Sequence, residues 1–162
     1  MNNFKVEKIG KPRKWLIDAA AEIGLDFSRL THEVTNYFVN HIIKEHSSET
    51  GERARGQLSI TVADISRIPD IVKNPDTAIV GITRYGIPLI AYSKKYADST
   101  ILYLEEVLNS KRNKVLRGKT MYKKLGTVNR GTFLKIIGNN AKTDMSKIKM
   151  VVGAGGYPGG EA

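Results

Sequence analysis

The chain has 162 residues, of which 41% are hydrophobic and 26% charged. That is enough for one domain with its own core, and the composition argues against wholesale disorder. It has no cysteine, which excludes disulfides, thiolate metal sites and a cysteine nucleophile. The formal charge of +10 is polarised: Lys and Arg against Asp and Glu number 7 to 6 in residues 1–46, 7 to 8 in 47–110 and 12 to 2 in 111–162, so the excess lies in the last third.

In chain order, Trp15, Leu16, Ala19, Ala20 and Ile23 recur at helical spacing and predict an amphipathic helix over residues 13–24, stopped by Gly24. A second helix is expected from Thr31 to His46, with Val34, Phe38 and Ile42 on one face and Val39, Ile43 and His46 on another. The stretch SSETGERARGQ reads as an exposed polar loop. LSITVADISRIPDIVKNPD then gives a short extended piece and a helix ending near Pro75, in which Asp64 and Asp70 read as helix-start or turn carboxylates.

The pattern then changes. AIVGITRYG, PLIAYSKKY and STILYLEEVLN are rich in β-branched and aromatic residues and are separated by turn signals, as in an antiparallel meander. A fourth run, VLRGKTMYKKL, places Thr120 and Tyr122 on one face and Met121 on the other. GTFLKIIGNNA suggests a short helix or turn, and VGAGGYPGGEA a mobile glycine-rich tail. The expected fold is α+β, with N-terminal helices packed on a roughly four-stranded antiparallel sheet. Its expected organisation is a helical extension over 1–30, a main domain over 31–140 and a basic, glycine-rich flexible tail over 141–162.

No apolar run reaches the roughly 18 residues that span a bilayer, and MNNFKVEKIGKPRK lacks the apolar stretch of a secretory signal, so a soluble, intracellular type of domain is expected. The cationic last third predicts a polyanionic partner, RNA first, bound through salt-sensitive phosphate contacts. The plainer reading of the same charge is a solvated surface that aids solubility.

Of the three histidines, His32 opens the expected second helix. His41 lies near its apolar face, where a structural, half-buried role is the plainer one. His46 closes the helix beside the polar loop, where position alone leaves it between a helix cap and a proton carrier. No HExxH motif, paired-histidine site or acidic cluster suited to Mg²⁺ is visible, and Glu105 and Glu106 face opposite ways on a strand. No metal and no cofactor is therefore expected, and neither a phosphate loop nor a GxSxG elbow occurs. Metal-free RNA cleavage needs little more than proton carriers and cations, because the 2′-hydroxyl is an internal nucleophile. His46, Arg53, Arg55, Lys94, Lys95, Thr120 and Tyr122 could supply them.

Read together, HEVTNYFVNHIIKEH, ERARGQLSITVADISRIPDIVKNPD, AYSKKY and TILYLEEVLNSKRNKVLRGKTMYKK resemble the phage-associated barnase/EndoU/colicin/RelE-like (BECR-fold) nuclease toxin domains, over roughly residues 24–125. The resemblance implies a core of two helices and four antiparallel strands, a metal-independent endoribonuclease, and site residues His46, Arg55, Lys94, Thr120 and Tyr122. On it, His46 is a general acid or base, Arg55 (rather than Arg53) and Lys94 stabilise the phosphate, and Thr120 and Tyr122 orient groups or relay protons. Without it, Thr120 is a cross-strand packing residue and Tyr122 a half-buried edge aromatic.

The expected RNA grip comprises Lys111, Arg112, Lys114, Arg117, Lys119, Lys123, Lys124 and Arg130. The product would be a 2′,3′-cyclic phosphate, with tRNA a candidate substrate. The partners would be RNA and an acidic immunity or antitoxin protein, and the setting the bacterial cytoplasm of a producing or target cell, reached through a phage or secretion system. Two competing readings are a non-catalytic RNA- or nucleoprotein-binding module of the same fold and a structural phage or secretion component docked on an acidic protein.

Overall fold

Four consecutive β-rich runs form the centre of the sheet. The computed structural model describes residues 6–46, 58–141 and 145–153, and in it β3 (Thr77–Thr83), β4 (Pro88–Tyr96), β5 (Ser99–Asn109) and β6 (Lys114–Leu125) pair as the expected antiparallel meander. Three further strands make the sheet seven-stranded rather than roughly four-stranded. They are β1 (Val6–Gly10), β2 (Thr31–Thr35) and β7 (Met145–Val152), in the spatial order β1-β2-β6-β5-β4-β3-β7. β2 runs parallel to β6, pairing Thr31, His32 and Glu33 with Val115, Leu116 and Arg117, and every other pairing of the sheet is antiparallel.

The extra strands correct the expected boundaries. The segment THEVT, expected to open the second helix, is β2, and helix α2 spans Asn36–His46. Thr35 rather than Thr31 caps it, its hydroxyl accepting a 3.1 Å hydrogen bond from Phe38 N. His32 is therefore a strand residue, and it is fully buried. Residues 145–152, expected to belong to a flexible tail, are zipped along β3 from Thr83 to Thr77. Helix α1 (Lys14–Glu22) inserts Trp15, Leu16, Ala19 and Ala20 into the main core, so it belongs to the domain and not to an extension. Each such fully buried large side chain stabilises the fold by about 1.5–3 kcal/mol relative to exposure.

Both faces of the sheet are covered. On one, Ile90, Tyr92, Ile101, Tyr103, Leu116 and Met121 meet α1, α2 and the short helices α3 (Val62–Ile65) and α4 (Ile68–Lys73). On the other, Ile79, Ala91, Leu102 and Leu104 pack against Phe133 and Ile137 of α5 (Arg130–Ala141). The Asn129 carboxamide oxygen accepts from Thr132 N at 2.8 Å, so the segment expected to be a short helix or turn starts as a properly capped helix. Among the described residues no helix is long and apolar enough to cross a membrane.

Candidate active site

β2 stops pairing with β6 after Glu33–Arg117, and the chain turns at Thr35 into α2, which lies against β6. At the same level the β5–β6 register slips. Leu104 faces Thr120 and Glu105 faces Gly118, which leaves Lys119 as the extra residue of a β-bulge. Bulges re-aim side chains and break edge pairing. Here the break leaves a cleft of about 280 Å³ lined by Thr35, Tyr37 and Phe38, by His41, and by Glu106, Arg117, Gly118 and Lys119.

The cleft holds groups suited to phosphoryl transfer. His41 and Lys119 are exposed. Arg117 and Glu106 are register partners on neighbouring strands. Beside Arg117 on β2 is its register partner Glu33, 3% exposed, with Oε2 3.4 Å from Arg117 Nε and Oε1 3.7 Å from Lys8 Nζ, so a buried carboxylate is ion-paired with the guanidinium. The Glu106 carboxylate makes no hydrogen bond or ion pair with another described residue.

The expected site residues do not all meet here. Thr120 and Tyr122 lie on the α5 face, opposite Leu104 and Leu102; Thr120 is 6% exposed and two residues from the Glu106 row, and Tyr122 packs beside the α5 core. Lys94 lies on the other face. It shares a row with Ile101 and Lys123, about 17 Å along β5 from Glu106 at roughly 3.4 Å per residue. Its ammonium donates to the Asn74 carbonyl at 2.6 Å and is 3.8 Å from Asp70, a latch between sheet and helix α4. His46 ends α2, but its side chain lies outside the described residues, as do Arg53, Arg55 and the expected SSETGERARG loop.

Of the expected cationic residues, Arg117 and Lys119 line the cleft. Lys123 instead bonds Asp64 at 3.0 Å, a carboxylate that also completes the capping box of α3 with Thr61. Among the described residues no three His, Cys, Asp or Glu side chains are grouped to hold a metal ion.

The sequence pattern did not single out His41 and Glu106, which line this cleft. Both signals were available: in α2, His41 lies one residue from buried Ile42 and three from buried Phe38, on the margin of the apolar stripe, and in β5 Glu106 alternates with buried Glu105.

The family described as phage-Barnase-EndoU-ColicinE5/D-RelE like nuclease 3 matches residues 10–130, well over half of the chain. The chain belongs to this family. As a phage BECR-like nuclease, it carries α1 within the matched region as well as within the core, which agrees with the packing of Trp15 and Leu16. The cleft between α2 and β6 also falls inside the match, and nucleic acid is the substrate class of such a nuclease. No curated protein and no solved structure matches the chain.

Proposed function

We propose that this nuclease is a metal-independent endoribonuclease acting in the cleft between α2 and β6. The observation that supports it most is that one cleft is lined by an imidazole, a carboxylate, a guanidinium and an ammonium, from His41, Glu106, Arg117 and Lys119. The Glu106 carboxylate takes the proton of the RNA 2′-hydroxyl as that oxygen bonds to phosphorus. His41 gives a proton to the 5′-oxygen as the bond from phosphorus to it breaks. Arg117 and Lys119 hold the non-bridging oxygens, on which negative charge builds. The products are a 2′,3′-cyclic phosphate end and a 5′-hydroxyl end, and DNA, lacking the nucleophile, is not cut this way.

The resemblance keeps His46 and Arg55 as further candidates for proton transfer and phosphate binding, with Thr120 and Tyr122 as orienting groups. The same proposal includes a toxin role in a bacterial cytoplasm, held in check by an acidic immunity protein whose charge complements the cationic last third.

The test is incubation with total tRNA in excess EDTA, followed by analysis of the 3′ ends. Cyclic phosphate ends support the proposal. Cleavage that needs an added divalent ion, or that leaves 3′-hydroxyl ends, contradicts it. RNA that is retarded in a gel but stays intact favours the non-catalytic binding module.

A further inference from the structure

The cations of the last third differ in what they are bonded to. Arg117, Lys123 and Lys149 are within 3.4, 3.0 and 3.1 Å of Glu33, Asp64 and Glu22. The Lys111, Arg112 and Lys114 side chains are exposed and make no hydrogen bond or ion pair to any described residue, and the run from Leu108 to Lys119 contains no acid. The β5–β6 turn that carries them is closed by two hydrogen bonds: Ser110 N donates to the Asn113 carbonyl at 2.7 Å, and Asn113 N to Ser110 Oγ at 3.1 Å. Three like charges are thus held close together on a fixed turn, where their mutual repulsion favours a bound anion.

β6 leads from this turn directly to the cleft. Lys114 and Lys119 are five residues apart, and because Lys119 is the extra residue of the bulge the span is about four to five strand steps, about 13–17 Å at roughly 3.3 Å per residue. At the roughly 3.4 Å per residue of a fully stacked strand that span is about four to five nucleotides, and fewer in an extended single strand. We propose that the β5–β6 turn is a distal phosphate subsite, in which Lys111, Arg112 and Lys114 grip the backbone of a single RNA strand whose scissile phosphate lies between His41 and Lys119. The direction of the strand rests on the nuclease reading above; the cationic turn does not. The substrate class that follows is an RNA with several single-stranded nucleotides flanking the cut, since a dinucleotide fills the cleft without reaching the turn.

The experiment compares wild type with the triple variant Lys111→Gln/Arg112→Gln/Lys114→Gln on a dinucleotide and on a single-stranded oligoribonucleotide of about a dozen residues, across a salt series. The substituted side chains are exposed, so the fold has no cause to change. The expected result is a loss of about tenfold in kcat/KM on the oligomer at low salt and none on the dinucleotide. The salt slope on the oligomer should become shallower by about 2, because each single-strand phosphate contact releases about 0.7 of a counterion. An unchanged oligomer rate, or equal losses on both lengths, overturns the subsite. If wild type cuts neither RNA, the nuclease reading fails and equilibrium binding of the oligomer decides the subsite alone: a shallower salt slope in the variant supports it, an identical slope overturns it.

Discussion

Glu105 and Glu106 are neighbours in β5 whose carboxylates serve opposite faces of the sheet. Glu105 is fully buried, 2.7 Å from His32 Nδ1 through Oε2 and accepting the Tyr92 hydroxyl through Oε1. Glu106 lines the cleft opposite Arg117. The alternation of a strand separates a structural carboxylate from a proposed catalytic one. Burial, reinforced by the Glu105 charge, pushes the Tyr92 and Tyr103 hydroxyls well above the usual tyrosine range, so both stay protonated beneath the site.

Substituting these two residues should therefore separate stability from activity. Glu105→Ala leaves His32 and Tyr92 without their partner in the core and is expected to cost about 3–5 kcal/mol in urea unfolding. Glu106→Gln should change stability by no more than about 0.5 kcal/mol while lowering kcat on RNA by about 10²–10⁴. A stable Glu105→Ala variant, or a fully active Glu106→Gln variant, would refute the assignment.

Gly118 and Tyr103 form a tight contact beneath the cleft. A Cβ on Gly118 would lie 2.5 Å from the Tyr103 hydroxyl oxygen, which is buried and has no hydrogen-bond partner among the described residues. Gly118→Ala should cost about 1–3 kcal/mol through overpacking. Tyr103→Phe should be neutral or stabilising by about 1 kcal/mol, since it removes a polar atom that burial leaves unpaired. The double variant should recover part of the Gly118→Ala loss, and a thermal-unfolding double-mutant cycle with no coupling would contradict the contact.

Lys123 and Lys124 are adjacent cations with different predicted losses. Lys123→Met strands Asp64, 2% exposed, without its ammonium and should cost about 1–3 kcal/mol of stability. Lys124, with no ion pair among the described residues, should lose no more than about 0.5 kcal/mol as Lys124→Met, while weakening RNA binding and flattening its salt dependence. The opposite pattern in urea unfolding and filter binding would mean that Lys123 belongs to the RNA surface.

Asp70 sets a pH dependence. Partial burial pushes its carboxyl up, but hydrogen bonds from Tyr96 and Asn74 and the charge of Lys94 outweigh this, and it titrates below the ordinary carboxylate range. A depressed folded value means that the contribution to stability is complete above the unfolded value of about 3.9 and is lost as pH falls toward the folded one. Asp70→Asn should flatten the decline of unfolding free energy below about pH 4. A decline as steep as wild type would remove Asp70 as a source of acid sensitivity.

The meander was legible because TAIVGIT, PLIAY and STILYL are continuous runs of β-branched and aromatic residues between plain turn signals, as strands buried on both faces require. β2 was not, because THEVT runs into α2 with no break, and Val34, Phe38 and Ile42 keep helical spacing across the junction although Val34 lies in the strand. Its two partners decide it, antiparallel β1 more than 20 residues earlier and parallel β6 more than 80 residues later. β7 was lost for the same reason, since MSKIKMVV has little local pattern beyond its pairing with β3. The cleft depends on a register slip at Lys119, which no local periodicity reports.

Whether His41 acts on the phosphate from the α2 wall of the cleft is decided by the single-turnover cleavage rate of one RNA by His41→Ala beside His46→Ala, with folding checked by urea unfolding. His41→Ala should lose about 10²–10⁴ in rate at unchanged stability. Wild-type cleavage by His41→Ala, with the loss in His46→Ala instead, would move the chemistry to the end of the helix and contradict the assignment to His41.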